Sequence, residues 1–160
     1  MKIMVLPGDG IGPEIMDATL TVVRALDAKY GLGFDLQTRE IGLASLATRG
    51  STLPEDVVEE CKGADGTILG PVDSYAYPPR DQGGVNPSGT MRKELDLYAN
   101  IRPSKTFDGV PSMAAQMDMV VVRENTEGFY ADRNMFLGNA EFMPTEDVAL
   151  AVRKITRQGS

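Results

Sequence analysis

Histidine is absent from this chain of 160 residues, and cysteine occurs once, at Cys61. Without histidine the chain cannot form a Ser-His-Asp triad, and it lacks the commonest general base and metal ligand. Any acid–base chemistry must therefore come from tyrosine, lysine or carboxylate side chains.

A single cysteine excludes an internal disulfide, and the sequence has neither a signal peptide nor an apolar run of about 18 residues. We therefore expect a cytoplasmic protein without a membrane partner, with Cys61 buried in a helix. The net charge of −7, from 16 basic and 23 acidic residues, argues against a nucleic-acid partner. Small molecules are the expected partners, and the 42% hydrophobic content suffices for one medium domain with a core.

The segment Gly8-Asp9-Gly10-Ile11-Gly12-Pro13-Glu14 follows a short apolar run and is typical of a junction between a strand and a helix. Its glycines permit positive φ and leave room for another backbone or a ligand. Its proline suits the first turn of a helix, and its glutamate suits the positive end of the helix dipole. The turn lacks the G-x-G-x-x-G spacing of a Rossmann dinucleotide site. By itself it is equally consistent with plain strand-to-helix geometry.

Apolar periodicity predicts alternating helices and strands, as in an α/β fold. In the first part of the chain the predicted elements are a helix over 13–30, a strand over 34–37, helices over 43–49 and 54–61, and a short buried strand over 66–70. After it come an extended segment over 98–103, a strand over 119–122 and a helix over 145–159. The strand over 119–122 is expected to lie in a sheet covered on both faces. The Pro- and Gly-rich stretch 71–85 is a predicted loop beyond the carboxyl end of a strand, where open α/β sheets bind ligands. A surface excursion is the simpler alternative.

Asn86 and Pro87 predict the start of a helix on which Ser88, Arg92 and Asp96 share one face. A helix N-terminus, a hydroxyl and a guanidinium together suit an anion, because arginine can bind a carboxylate through two hydrogen bonds. The segment therefore predicts a site for a carboxylate.

Two further guanidiniums, Arg102 and Arg123, lie in or at the end of predicted extended segments. Together with Arg92 they form a set of three cations in an acidic chain, which favours a site for a di- or tricarboxylate. The simpler alternative is that all three are solvated surface arginines, with Tyr130 as half-buried packing.

Three segments resemble one family in order and spacing: Gly8 to Glu14, Arg-Lys-Glu-Leu-Asp-Leu-Tyr-Ala-Asn-Ile-Arg-Pro at 92–103, and Arg-Glu-Asn-Thr-Glu-Gly-Phe-Tyr at 123–130. The sequence is similar to the isocitrate and isopropylmalate dehydrogenases, the metal-dependent β-decarboxylating hydroxyacid dehydrogenases, from Met1 to about Arg157. The resemblance implies that family's own α/β fold rather than a Rossmann fold, with two domains flanking a cleft and a homodimer whose active sites use both subunits. Residues 1–98 would begin the larger, cofactor-side domain and 99–160 the smaller domain, both incomplete.

The resemblance also assigns roles to residues. Arg92, Arg102 and Arg123 would bind the carboxylates and hydroxyl of the substrate, and the helix pattern adds Ser88 to this set. Tyr130 would be the acid that protonates the enol after carbon dioxide has left, since tyrosine, with a pKa of about 10, is protonated at neutral pH.

Positions that lie against the cofactor in relatives correspond to Ile11, Val72 and Asn100. In the implied reaction, hydride passes to NAD or NADP, and Mg²⁺ or Mn²⁺ stabilises the enolate as the resulting β-keto acid decarboxylates. The catalytic lysine and the metal-binding aspartates of relatives lie downstream of Ser160, so no metal ligand is assigned in this chain. The sequence does not distinguish NAD from NADP.

Three features bear on substrate and assembly. Asn-Pro-Ser-Gly-Thr-Met at 86–91 matches neither the leucine-bearing isopropylmalate motif nor the Ser-Leu-Asn of isocitrate enzymes, and its polar groups favour an isocitrate-like or tartrate-like substrate over isopropylmalate. Family members are roughly twice as long, so the chain resembles their first half. The stretch 134–144 resembles the arm by which the smaller domains pair, with a local hairpin as the alternative.

Three hypotheses follow. The favoured one is a truncated β-decarboxylating dehydrogenase. The second is a naturally short, non-catalytic relative that binds a carboxylate or pairs with a full-length subunit as a regulatory partner. The third, an unrelated α/β binding module, is disfavoured by three collinear motifs.

Overall fold

The computed structural model describes residues 1–128 and 141–159. Internal contacts divide the chain into a first unit, Met1–Leu95, and a second unit, Asp96–Ser160. The first unit combines parallel strands with helices, whereas the described part of the second consists of antiparallel strand pairs. The predicted division at residue 98 concerns the domains of a complete enzyme and stays a prediction.

A parallel sheet in the order β2-β1-β3 forms the centre of the first unit. β1 spans Lys2–Leu6, β2 spans Asp35–Thr38 and β3 spans Gly66–Leu69. The prediction that β3 is buried is wrong, because β3 is an edge strand of this sheet and its residues are half-buried or exposed.

Helices and one loop complete the first unit close to the predicted positions. The helices are α1 (Gly12–Tyr30), α2 (Gly42–Arg49), α3 (Glu55–Lys62) and α4 (Pro87–Glu94). α1 ends where Gly31 adopts a left-handed φ of 62° and donates its N–H to the Asp27 carbonyl at 2.8 Å. Between β3 and α4 the chain is a loop, as predicted, and this loop contains one short 3₁₀ turn, Arg80–Gln82.

Side-chain alternation along β1 divides the apolar core of the first unit in two. On one side, Val5 packs with Met16 and Leu20 of α1. On the other side lies a larger cluster, composed of Met4, Leu6, Ile41, Leu53, Val57, Val58, Cys61 and Met91. Cys61 is buried in α3, as predicted. Because apolar side chains pack against both faces of β1, the strand that precedes the glycine turn is held rigidly.

The second unit begins with an antiparallel pair, β4 (Ala99–Lys105) and β5 (Asp118–Glu124). The predicted extended segment is confirmed within β4. The prediction that residues 119–122 are covered on both faces is wrong, since these side chains are 42–65% exposed. A continuous apolar run is typical of a buried strand, but β5 lies in a two-stranded sheet.

The predicted helix over 145–159 is also wrong. The structure has an antiparallel hairpin of β6 (Glu141–Thr145) and β7 (Val148–Ala151), in which Phe142 pairs with Leu150. Two residues, 146 and 147, turn the chain, and cross-strand pairing then outweighs the helical spacing of the apolar residues. The end of the predicted dimer arm, 141–144, belongs to this hairpin, whereas 134–140 lies outside the described residues.

Candidate functional site

The carboxyl ends of β1 and β3 meet at a crossing of two backbones. The Gly70 N–H donates to the Leu6 carbonyl at 2.8 Å, and the Asp9 N–H donates to the Pro71 carbonyl at 2.8 Å. A Cβ on Gly8 would lie 2.0 Å from the Pro71 oxygen, and one on Gly70 would lie 1.9 Å from the Pro7 oxygen. The crowded glycines therefore serve the approach of one backbone to another.

Gly10 differs from its neighbours in this turn, because its surroundings are open. Its φ is +56°, and a Cβ built there would have no other heavy atom within 4 Å. Ile11, the next residue, is 58% exposed at the start of α1. This part of the turn is therefore open beside an exposed apolar side chain.

The carboxylate of Asp9 organises the turn, although the sequence pattern did not single it out. Asp9 is 8% exposed. Its Oδ1 accepts the N–H of Leu43 at 2.7 Å, and its Oδ2 accepts the N–H of Asp73 at 3.1 Å and the hydroxyl of Tyr77. Burial and the hydrogen bond to Asp9 both raise the pKa of Tyr77. The feature of the sequence that could have indicated this role is the position of Asp9, an acidic residue between glycines in a turn that otherwise needs only small residues.

The two predicted cofactor residues of the first unit differ in exposure. Ile11 is exposed, whereas Val72 is half-buried and packs against the larger apolar cluster. Asp9 joins their segments, since it is adjacent to Gly10 on one side and bonds the N–H of Asp73 on the other. The third predicted cofactor residue, Asn100, belongs to the second unit.

The start of α4 has the predicted geometry. The side chain of Asn86 caps the helix by accepting the Gly89 N–H at 3.0 Å. One turn apart on α4, Nη2 of Arg92 donates to Oγ of Ser88 at 3.3 Å. Asp96 does not continue this face, because α4 ends at Glu94 and Asp96 has a left-handed φ of 49°. The structure therefore confirms that Ser88 and Arg92 share a face of α4, but Asp96 does not belong to that face.

One face of the β4–β5 pair collects three predicted site residues. Asn100 and Arg102 are two positions apart on β4, and Arg123 of β5 is directly opposite Asn100. Nε of Arg102 donates to Oδ1 of Asn100 at 3.2 Å. Two guanidiniums and an amide thus share one face, which suits the carboxylates and hydroxyl of a small acid.

A hydrogen-bonded turn holds the chain just after Arg123. Glu124 accepts the N–H groups of Thr126 at 2.5 Å and Glu127 at 2.6 Å. Burial raises the pKa of Glu124, but these amide hydrogen bonds outweigh it and the net effect is a lowered pKa. The buried Asn125 donates from its side chain to the Leu97 carbonyl at 2.9 Å. The predicted acid Tyr130 follows this turn and lies outside the described residues.

Within residues 1–128 and 141–159, no group of three Cys, Asp or Glu side chains is placed to hold a metal ion. In the same part of the chain, no helix has the length and apolar content needed to cross a membrane.

Comparisons with known proteins agree with these observations. The profile of the isocitrate/isopropylmalate dehydrogenase family matches residues 2–160. A 3-isopropylmalate dehydrogenase of Methanothermobacter thermautotrophicus is 38% identical over 160 residues, which are all of this chain and 43% of that protein. Another, from Aquifex aeolicus, is 36% identical over 99% of this chain and 47% of that protein. The chain thus spans somewhat less than half the length of these relatives.

Solved structures show the same relationship. The crystal structure of isocitrate dehydrogenase from Methylococcus capsulatus matches with a TM-score of 0.73 and 32% identity, covering 99% of this chain and 43% of that one. The resemblance carried by the three motifs is confirmed. This chain belongs to the isocitrate/isopropylmalate dehydrogenase family and has the α/β fold of that family.

Proposed function

We propose that this chain is part of an enzyme that oxidises and decarboxylates a 2-hydroxy di- or tricarboxylic acid, a 3-substituted malate, with NAD or NADP and Mg²⁺ or Mn²⁺. The observation that carries the proposal is the common face of Asn100, Arg102 and Arg123 in a member of this family. The chain as a whole has a net charge of −7, so the guanidiniums of Arg102 and Arg123 do not belong to a generally basic surface. Their proximity therefore favours the binding of a specific anion.

The residues of this chain have separate tasks in the proposed reaction. Arg102 and Arg123 hold carboxylates of the substrate through charge-assisted hydrogen bonds, which also fix its orientation. Asn100 orients Arg102, because Nε–H of Arg102 donates to Oδ1 of Asn100 at 3.2 Å. When bound at Ile11 and Val72, the nicotinamide would accept a hydride from the hydroxyl-bearing carbon. Tyr130 donates its phenolic proton to the substrate carbon that carbon dioxide has left.

We further propose that the substrate carries a polar substituent, as in isocitrate or tartrate. Ser88 presents a hydroxyl beside Arg92 at the start of α4, where an isopropyl group would need an apolar pocket. The side-chain oxygen of Asn86 already accepts the Gly89 N–H as a helix cap, so Asn86 contributes less to binding a polar substituent than an uncommitted asparagine would. Thr90, also half-buried on α4, is a second hydroxyl of this segment.

A substrate panel on the complete enzyme tests this proposal. Isocitrate, tartrate, malate and isopropylmalate are each assayed with NAD and with NADP. We expect kcat/KM for a polar substrate to exceed that for isopropylmalate at least about tenfold. Strong preference for isopropylmalate would contradict the polar pocket. Failure of every substrate to reduce either cofactor would favour the non-catalytic alternative.

Phenylalanine at Tyr130 tests the proposed acid. We expect Tyr130→Phe to lower kcat about a hundredfold, because the proton donor is lost, while the substrate Kd stays within about threefold. Steady-state kinetics combined with a binding titration separates the two quantities. Unchanged turnover would remove Tyr130 from the mechanism.

We also propose a cytoplasmic homodimer. The exposed apolar side chains of the β4–β5 pair, such as Ile101, Val120 and Val122, support contact with further protein surface. Sedimentation equilibrium of the complete enzyme measures its mass, and a monomer at all concentrations would contradict this proposal.

A further inference from the structure

Asp9 connects three segments that are far apart in the sequence. Its carboxylate bonds Leu43 at the start of α2, and Asp73 and Tyr77 in the loop 71–85. We propose that Asp9 is a positioning residue for the nicotinamide cofactor, which holds the glycine turn and this loop in the arrangement that binds it. The inference rests on the proposed function.

The surroundings of Asp9 are built for a carboxylate. The residue before α2, Ile41, provides no side-chain cap, so Oδ1 of Asp9 supplies the acceptor for a free N–H at this helix end. Gly42 leaves the space that Oδ1 occupies, since a Cβ there would lie 2.2 Å from it. Three donors converge on two oxygens, and a neutral side chain cannot accept all three in the same geometry.

Asp9 is bound next to both predicted cofactor residues of the first unit. Its backbone carbonyl accepts the Gly12 N–H at 2.8 Å, so hydrogen bonds hold it at the turn that carries the exposed Ile11. Its bond to the Asp73 N–H fixes the backbone immediately after Val72. A small displacement of either contact is enough to weaken ligand binding, because oriented contacts depend strongly on geometry.

Thr52 offers a matched comparison, because it holds the opposite end of the same loop. It is fully buried, its Oγ1 donates to the Val85 carbonyl at 2.6 Å, and it accepts the Val85 N–H at 2.7 Å. Thr52→Val removes these bonds without touching Asp9, Ile11 or Val72. It therefore loosens the loop at a distance from the proposed cofactor contact.

The experiment compares Asp9→Asn and Thr52→Val in the complete enzyme. Asparagine keeps the size of aspartate and one acceptor oxygen, but its NH₂ group replaces an oxygen that the other donors require. We expect Asp9→Asn to raise the Kd for NADH or NADPH, measured by fluorescence titration, and the KM for the oxidised cofactor about tenfold. Thr52→Val is expected to lower the melting temperature while changing both constants less than twofold.

A second measurement does not depend on cofactor binding. Hydrogen exchange is expected to show faster exchange of the Asp73 amide in Asp9→Asn and unchanged exchange of that amide in Thr52→Val. If Asp9→Asn fails to fold, Tyr77→Phe takes its place. It removes one donor and keeps the carboxylate, and we expect it to raise the cofactor Kd about threefold.

The outcomes separate this inference from the proposed function. If the unmodified enzyme binds neither NADH nor NADPH, the proposed function fails and the role of Asp9 fails with it. If that enzyme binds the cofactor and the variants at Asp9 and Tyr77 bind it equally well, only the positioning role is overturned. Equal weakening by Thr52→Val would also overturn it, because general loop stability would then explain the loss.

Discussion

Alanine at Gly8 is expected to destabilise the chain by about 4 kcal/mol, a large stability loss for a single methyl group. Gly8 has a φ of +80°, and its new Cβ would lie 2.0 Å from the Pro71 oxygen and 3.0 Å from the Pro71 carbon. Both atoms belong to the backbone, so no side chain can rotate away. The left-handed φ adds strain of about 1–2 kcal/mol.

Gly10 provides the control within the same turn. Its φ of +56° is also left-handed, but a Cβ there would meet no heavy atom within 4 Å. Gly10→Ala is therefore expected to cost only the backbone strain, about 1 kcal/mol. Urea denaturation of both variants measures the difference in the free energy of unfolding. Equal losses would show that backbone conformation, and not the contact with Pro71, makes glycine necessary at position 8.

Glutamine at Arg102 is expected to lower kcat/KM of the complete enzyme about a thousandfold. Under the proposed function, Arg102 makes charge-assisted hydrogen bonds to a substrate carboxylate, each contributing roughly 1.5–3 kcal/mol. Two of them amount to about 4 kcal/mol, which corresponds to the expected factor. Arg102→Lys keeps the charge but not the two-pronged geometry, and its loss is expected to be intermediate, about thirtyfold.

Lys105 is the matched control, because it is a cation of the same strand on the opposite face. It lies three positions after Arg102 and pairs with Asp118 at 2.7 Å in an exposed ion pair. Lys105→Gln removes that pair, which contributes about 0–1 kcal/mol to stability, and is expected to leave kcat/KM within about twofold. Similar losses in the two glutamine variants would mean that the strand pair is needed only as a scaffold.

Helix ends in the first unit follow from local chemistry, and this explains why they were predictable. Pro13 and Gly31 bracket α1, and Asn86 and Pro87 start α4, because each residue type satisfies a particular backbone position regardless of its neighbours. The parallel strands were predictable for a similar reason, as short segments of apolar or alternating residues between helices.

Predictions failed where pairing between distant segments decides the structure. The apolar residues of 145–159 have helical spacing, but β7 pairs with β6 across a two-residue turn. The apolar run of β5 suggested burial, yet its antiparallel partner leaves the side chains exposed. The role of Asp9 also depends on contacts 34, 64 and 68 residues away, which no local pattern contains.

By itself, the sequence determined the family, through three collinear motifs, and it determined the helix ends and the strands of the parallel sheet, because these depend on nearby residues. Only the tertiary structure decided why the turn at Gly8 needs glycine. A glycine-rich turn is consistent with a nearby ligand or a nearby backbone, and the 2.0 Å distance from a Gly8 Cβ to the Pro71 oxygen identifies the backbone. Gly10 and Ile11 are exposed in this turn, whereas the Pro71 carbonyl closes the space beside Gly8 and the Pro7 carbonyl closes the space beside Gly12.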